Sequence, residues 1–176
     1  LTQTAFLRPK IISKKVKNLF NNFNLLVEAG ERIAVIGENG IGKTTFLRAL
    51  AGDLKPNHGE IKWAEKAKIG YFAQEHETLD VSKTVLENMQ RNAPQLTDVD
   101  ARKVLGSFLF SGDDVNKPAG VLSGGEKTRL ALASLVVSSA NVLLLDEPTN
   151  NLDPASRNEI LRALAGFTGA VVLVSH

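Results

Sequence analysis

The 176-residue sequence contains no cysteine, which excludes disulfide bonds, thiolate metal sites and cysteine nucleophiles. Long hydrophobic runs are also missing, since the longest, such as residues 130–137, fall well short of the ~18 residues that span a membrane. Charge of one sign does not dominate either: 21 basic and 19 acidic residues give a net charge of +2, too small to argue for nucleic acid or membrane binding. The sequence therefore predicts one soluble domain with a substantial core.

The two ends of the sequence lack the features of a complete chain. It begins without methionine or a signal-peptide pattern, and it stops at His176 directly after an apolar run. We therefore expect a piece of a longer polypeptide. Residues 1–18 are interpreted as a linker or edge segment, with contact to RNA phosphates as the alternative, because residues 8–17 contain a cluster of basic side chains: Arg8, Lys10, Lys14, Lys15 and Lys17.

Strand and helix patterns alternate along most of the chain. Short apolar runs predict strands at residues 19–27, 32–36, 60–63, 68–74, 141–145 and 170–174, and helical spacing predicts helices at residues 44–51, 123–138 and 154–165. A polar segment at about residues 80–120 predicts a helical insert with helices at 82–91, capped by Ser82, and 98–110. This alternation predicts an α/β fold with a mostly parallel sheet flanked by helices, and Trp63 and Tyr71 are interpreted as packing residues of its strands.

The strongest motif is Gly37-Glu-Asn-Gly-Ile-Gly-Lys-Thr44, which has the G-x-x-x-x-G-K-[ST] pattern of a phosphate-binding loop. Glycines without Cβ atoms let such a loop curl and direct its N–H groups inward, toward a polyphosphate. The following helix adds the positive end of its dipole at the same place. We expect Lys43 to neutralise the β- and γ-phosphates and the Thr44 hydroxyl to coordinate Mg²⁺.

A pair of carboxylates ends the apolar run at residues 143–145. Asp146 and Glu147 would lie at the carboxyl edge of a buried strand, where open α/β sheets bind their ligands. Asp146 suits the Mg²⁺ shell, directly or through water, and Glu147 would orient or deprotonate the attacking water. Two solvated acids at a strand end are the simpler alternative, which the phosphate-binding loop makes less favourable.

The segment Leu122-Ser-Gly-Gly-Glu126, between these two motifs, resembles the signature of the ATP-binding cassette (ABC) ATPases. The resemblance implies a P-loop cassette with an added antiparallel β layer and a small helical subdomain. It also implies ATP and Mg²⁺ as cofactors, ATP hydrolysis, and a second cassette as partner. The residues that would bind nucleotide are Gly37, Glu38, Asn39, Gly40, Ile41, Gly42, Lys43, Thr44, Thr45, Ser123, Gly124, Gly125, Glu126 and Asp153.

Three further positions match the family's remaining motifs. Gln74 matches the glutamine loop that joins the Mg²⁺ shell with Thr44 and Asp146, and His176 matches the switch histidine that acts with Glu147 at the γ-phosphate. Asp153, in the loop that starts at Asn151, matches the aspartate that crosses the cassette interface. In this family the signature serine contacts the nucleotide bound to the opposite cassette, so a single copy is expected to bind ATP and hydrolyse it poorly.

The residues that make up these motifs are similar to those of ABC-F proteins, which are soluble tandem-cassette ATPases that often act on the ribosome. Glu126 and Asn150 differ from the residues common in transporter cassettes, and the short stretch between Gln74 and Leu122 leaves little room for the arm of a first cassette. The resemblance thus implies a second, C-terminal cassette, a ribosome or RNA partner, a cytoplasmic location and no membrane insertion. A transporter nucleotide-binding subunit is the alternative, and an ATP-dependent scaffold or DNA-maintenance cassette is a third interpretation.

Two positions depart from the family's pattern. Asn151 stands where ABC-F proteins usually have histidine. The stretch at residues 9–16, where an aromatic side chain that stacks on adenine is expected, contains none, and Phe6 and Phe20 flank it. Either the adenine contact differs in this chain or a segment is missing there.

Overall fold

The computed structural model describes residues 4–10, 19, 23–73 and 79–175, and for residues 4–10 it describes the backbone only. The chain divides into two compact units. The sheet unit comprises Leu1–Tyr71, Asn141–Glu147 and Thr168–His176, and the helical unit comprises Phe72–Ala140 and Pro148–Phe167.

Seven strands and five α-helices follow one another in the described part of the chain. In order they are β1 (Thr4–Lys10), β2 (Leu25–Glu28), β3 (Arg32–Ile36), α1 (Lys43–Ala51), β4 (His58–Lys62), β5 (Ile69–Phe72), α2 (Val85–Asn92), α3 (Asp98–Ser107), α4 (Gly124–Val137), β6 (Val142–Asp146), α5 (Pro154–Ala165) and β7 (Ala170–Ser175).

The core of the sheet unit is a four-stranded sheet in the order β3-β7-β6-β5. β7 pairs in parallel with both β3 and β6, with Val172 opposite Ile33 on one side and Leu144 on the other. All five residues of β6 are buried, as expected for an apolar strand covered on both faces. Helix α1 packs its apolar face, with Phe46, Leu47 and Leu50, into the same core. The α/β class with a mostly parallel sheet is therefore confirmed.

A second, three-stranded antiparallel sheet has the order β2-β1-β4, which confirms the antiparallel layer. β1 is its middle strand, with Ala5 opposite Val27 and Leu7 opposite Ile61. The interpretation of residues 1–18 as a linker or edge segment is thus wrong for Thr4–Lys10. Local charge does not report which distant strands pair with a segment, and here both partners lie further along the chain. Lys14, Lys15 and Lys17 lie outside the described residues.

The helical unit contains α2 to α5 and two short 3-10 helices, which confirms the small helical subdomain. Its core comes from apolar residues that are fully buried, among them Val85, Met89, Leu105 and Leu130. α4 and α5 follow the predicted ranges closely, whereas α3 ends at Ser107 rather than at residue 110. The reason is that Leu109 adopts a left-handed backbone conformation, with φ of 64°, that a helix cannot continue through.

The predicted cap of α2 is wrong, because Thr84 caps this helix instead of Ser82. Thr84 and Glu87 form a reciprocal capping box, which satisfies two backbone N–H groups at once. The Ser82 hydroxyl instead donates to the carboxylate of Asp80, two residues earlier, at 2.6 Å. Both serine and threonine suit a cap, so the glutamate three residues after Thr84 is the signal that distinguishes them. Of the helices in the described part of the chain, none combines the length and hydrophobicity required to span a bilayer.

Candidate functional site

The phosphate-binding loop connects β3 to α1 in the sheet unit, as predicted. Gly40 and Gly42 have φ of 75° and 114°, conformations that side chains with a Cβ atom rarely adopt. A Cβ atom on Gly42 would also lie 2.6 Å from Cδ2 of Leu19. The two glycines are therefore required by the backbone path. Glu38, Asn39 and Ile41, between the glycines, are exposed.

The N-terminus of α1 is open to an anion. Within the described part of the chain no side chain caps it, and its first turn contains no acidic residue, so no acidic side chain of that turn opposes the positive end of the helix dipole. Lys43 is only 6% exposed, and its Nζ donates to the carbonyl oxygens of Gly37 at 2.6 Å and Glu38 at 3.2 Å. The lysine is thus held against the loop, beside the N–H groups at the start of the helix. Thr44 is exposed and Thr45 is half-buried.

Asp146, at the end of β6, is brought to this loop although it lies more than a hundred residues further along the chain. It is 3% exposed, and its Oδ1 atom is buried without a hydrogen-bond partner among the described residues. Burial raises the pKa of the Asp146 carboxyl above its ordinary value, and the negative charge of Glu147 raises it further. A hydrogen bond from Thr44 and the positive charge of Lys43 lower this pKa, but they do not cancel the rise. The four side chains therefore form one cluster.

Glu147 follows β6 with a backbone φ of 49°, in the left-handed region that is uncommon for a residue other than glycine. Its N–H donates to the carbonyl oxygen of Val174 at 3.1 Å, which ties the turn to β7. Because the extended conformation ends here, Glu147 does not follow the alternation of side chains that a continuing strand would impose. Strained backbone of this kind costs about 1–3 kcal/mol and concentrates at functional sites.

These residues suit a magnesium ion held together with phosphates. A carboxylate and a hydroxyl are hard oxygen ligands, and a cation could bind Oδ1 of Asp146, which has no hydrogen-bond partner in the ranges that the structure describes. Among the described residues, no group of three or more acidic or histidine side chains could hold a metal ion alone. Mg²⁺ typically needs only one or two protein ligands when substrate phosphates complete its shell, so Thr44 and Asp146 fit that pattern.

Asp146→Asn is expected to stabilise the folded chain while it weakens Mg²⁺-dependent binding of ATP. The folded-state pKa of Asp146 is raised, so its charge destabilises the native state at neutral pH, and this effect fades as the pH falls through that pKa. Without Mg²⁺ and nucleotide, we expect the variant to raise the free energy of unfolding by about 1–3 kcal/mol at pH 7 and by less in acid. Urea unfolding at pH 7 and pH 5 measures this, with exposed Asp53→Asn as control.

The same variant should lose the Mg²⁺-dependent part of ATP affinity, measured by nucleotide titration with and without the metal. A variant less stable than the parent chain at neutral pH would contradict the assignment of Asp146 as a desolvated carboxylate. An unchanged response to Mg²⁺ would remove it from the metal site.

The predicted signature residues lie in the helical unit, where Ser123 caps α4. The Ser123 side chain accepts a hydrogen bond from the Glu126 N–H, and the Glu126 carboxylate accepts one from the Ser123 N–H, so the two residues form a capping box. Ser123 and Gly124 are exposed, and Gly125 and Glu126 are half-buried. The start of this helix therefore faces solvent.

The loop before α5 packs against the first turn of α4, within the helical unit. A Cβ atom on Gly125 would lie 3.1 Å from the carbonyl oxygen of Asn151 and 3.6 Å from Cδ2 of Leu152, which is buried. Asp153 caps α5 by accepting from the Ser156 N–H at 3.0 Å, and this hydrogen bonding lowers the pKa of its carboxyl. The unit thus brings Ser123–Glu126 and the 151–153 loop together.

Two predicted site residues, Gln74 and His176, lie outside the described residues, as do Phe20 and most of the stretch expected to carry an adenine-stacking aromatic. Trp63 is a packing residue, as predicted, and its Nε1 donates to the Leu50 carbonyl oxygen at 3.1 Å near the end of α1. Tyr71 also packs against the core of the sheet unit.

Asn88, which none of the sequence motifs includes, is 1% exposed in the helical unit. Its Oδ1 accepts from the Asp80 N–H, and its Nδ2 donates to the carbonyl oxygens of Asp80, Lys83 and Thr84. It therefore fixes the segment that leads into α2. An asparagine inside an otherwise amphipathic helix is the only sequence signal for this role.

Comparison with protein families finds a match over residues 20–150 to the family described as ABC transporter. The chain is 48% identical over 160 residues to the probable ATP-binding protein YbiT of Escherichia coli O157:H7 and 40% identical over 160 residues to ATP-binding cassette sub-family F member 3 of Mus musculus. Each match covers 90% of this chain, but only 30% and 23% of the respective relative. The chain thus spans a third or less of the length of these relatives.

Solved structures share the fold. A Pyrococcus furiosus chain described as an ABC transporter ATP-binding protein matches with a TM-score of 0.84 and 24% identity, over 99% of this chain and 91% of that one. An inward-facing metal-chelate type ABC transporter matches with a TM-score of 0.75 and 23% identity, over 99% of this chain and 73% of that one. At such low identity these likenesses concern the fold alone.

Proposed function

The chain belongs to the ABC transporter family of ATP-binding domains, and from this premise we propose that it is an ABC-F cassette that binds and hydrolyses Mg-ATP between two paired cassettes. The observation that carries the proposal is the cluster of Lys43, Thr44 and Asp146. Among the described residues, a buried carboxylate oxygen of this cluster has no hydrogen-bond partner and no side chain caps the N-terminus of α1. The ABC-F assignment is supported by 40–48% identity to relatives that include a named sub-family F member.

In the proposed mechanism, the loop N–H groups and Lys43 bind the phosphates of ATP and neutralise the charge that develops on them. Thr44 and Asp146 would hold Mg²⁺, which supplies Lewis-acid stabilisation of the phosphoryl oxygens when it is bound. Glu147 orients the attacking water and accepts its proton. Gln74 and His176 are proposed, on the family's pattern alone, to complete the contacts to the metal and the γ-phosphate.

The second half of each site comes from the partner cassette in this proposal. Ser123 would contact the γ-phosphate bound to the other copy, and Asp153 would cross the same interface. Exposed apolar side chains beside each half-site support the proposal that a partner cassette covers these surfaces. Ile36 is 74% exposed and Ile41 50% exposed at the phosphate loop, and Val121 is 71% exposed two residues before Ser123. ATP would thus hold two cassettes together, and its hydrolysis would release them.

We further propose that the full-length protein is a tandem-cassette protein that acts on the ribosome, with this chain as its second cassette. The test is sedimentation of the full-length Glu147→Gln protein with ribosomes, with and without ATP. We expect the protein to pellet with ribosomes in an ATP-dependent way, because arrested hydrolysis should hold the paired state. Absence of ATP-dependent pelleting would instead favour a nucleotide-binding subunit of a transporter.

A further inference from the structure

The cap of α4 places a negative charge at the site proposed to receive a phosphate. The Ser123 N–H donates to Oε2 of Glu126 at 2.7 Å, and the Glu126 N–H donates to Oγ of Ser123 at 3.3 Å. The backbone N–H of Ser123 is therefore occupied by a carboxylate. The Ser123 side chain also hydrogen-bonds to the same carboxylate, so both donors of Ser123 are directed at Glu126, and a phosphate must compete with that carboxylate for them.

The carboxylate of Glu126 is a firmly ionised group. Hydrogen bonds from the Ser123 side chain and backbone lower the pKa of its carboxyl, and the positive charges of Arg129 and Lys117 act in the same direction. Arg129 is itself held in place, since its guanidinium donates to the Leu109 carbonyl oxygen at 3.3 Å and lies 5.2 Å from the centre of the Phe110 ring. A full negative charge thus stays at the start of α4 at neutral pH.

We propose that Glu126 is a positioning residue that opposes nucleotide-driven pairing through Ser123. This inference rests on the proposed function, in which Ser123 meets the γ-phosphate bound to a second copy of the chain. An arriving phosphate favours the positive helix terminus, but it must approach the Glu126 carboxylate and compete with it for the Ser123 N–H. The charge therefore raises the ATP concentration at which two cassettes pair and leaves binding by the sheet unit unchanged.

Replacement of Glu126 by glutamine tests the effect of the charge separately from the effect of the capping hydrogen bonds. A glutamine oxygen still accepts from the Ser123 N–H, because the capping box forms with either glutamate or glutamine at this position. What the Glu126→Gln variant removes is the negative charge. We expect the ATP concentration for half-maximal pairing to fall by roughly three- to tenfold at low salt, and the difference to shrink as salt screens the charge.

The chain supplies a matched control in α2. There the Thr84 N–H donates to Oε2 of Glu87 at 2.7 Å and the Glu87 N–H donates to Oγ1 of Thr84 at 3.2 Å, so the two caps have nearly the same geometry. The pKa of the Glu87 carboxyl is likewise lowered by its hydrogen bonds to Thr84. Glu87→Gln should therefore change thermal stability as much as Glu126→Gln, but it should not change pairing.

The experiment compares Glu147→Gln alone with Glu147→Gln carrying either Glu126→Gln or Glu87→Gln. Light scattering measures pairing as Mg-ATP is titrated at two salt concentrations, and a fluorescent ATP analogue measures binding to the unpaired chain. A lower ATP requirement with Glu126→Gln only, at equal nucleotide affinity, supports the inference. An equal or higher requirement overturns it while leaving the proposed function intact. If none of the three proteins pairs although all bind nucleotide, nucleotide-driven pairing between two copies of this chain is contradicted, and the inference is overturned with it.

Discussion

Glu147→Gln is expected to abolish most hydrolysis and to leave Mg-ATP binding in place. Glutamine has the shape of glutamate but cannot accept the proton of the attacking water, and loss of a general base lowers turnover by about 100-fold or more. The left-handed backbone at this position, with φ of 49°, should tolerate the change because the side chains differ in one atom. Paired cassettes should therefore accumulate with ATP bound.

Two measurements check this expectation. Phosphate release gives turnover at a chain concentration where pairing occurs, and nucleotide titration gives affinity. Glu159→Gln is the control, because Glu159 lies on the surface of α5, in an ion pair with Arg162 at 2.6 Å. Turnover at the normal rate in the Glu147→Gln variant would show that another group activates the water.

Lys43→Met is expected to weaken ATP binding by about 100-fold. Methionine keeps an unbranched apolar stem of similar length, so the change removes the charge while much of the packing of this nearly buried residue is retained. Hydrogen bonds to a charged group contribute about 1.5–3 kcal/mol each, and the ammonium group is proposed to bind two phosphates. Its own contacts to the carbonyl oxygens of Gly37 and Glu38 would also be lost.

The thermal shift caused by Mg-ATP reports this loss directly. Ligand at 100 times its Kd stabilises the native state by about 2.7 kcal/mol, so a hundredfold weaker site should lose most of that stabilisation. Lys62→Met is the matched control, since Lys62 is exposed and forms an ion pair with Glu60 at 2.8 Å in the same unit. An undiminished thermal shift in Lys43→Met would place the nucleotide elsewhere.

Much of the candidate site was predictable because its motifs are local. The phosphate loop needs glycines at fixed positions before a helix, and the structure places Gly40 and Gly42 at positive φ there. Helix α5 has the predicted bounds, since Asp153 caps it, Pro154 suits its first turn and Gly166 follows its last residue. The strand that ends at Asp146 was predictable because a fully buried strand is an uninterrupted apolar run.

Other predictions failed, or could not be made, where the local structure depends on contacts with segments that are distant in the sequence. The basic residues near the N-terminus indicated a linker, but two antiparallel partners make Thr4–Lys10 a middle strand. The left-handed conformation that shortens α3 is adopted by Leu109 and not by a glycine, so the sequence does not indicate it. The position of Asn88 in an amphipathic helix does not by itself indicate its four side-chain hydrogen bonds either, because their geometry depends on how the preceding segment folds back onto α2.

The sequence by itself determined the element types, the phosphate loop and the order of the chemical motifs, since these depend on residues within one or two helical turns of one another. Tertiary structure alone decided that β1 lies between β2 and β4, that Asp146 is buried close to Thr44 and Lys43, and that Gly125 packs against Asn151. The physical reason is that these arrangements join residues far apart in the chain. Their stability comes from burial and pairing that exist only after the intervening loops have closed.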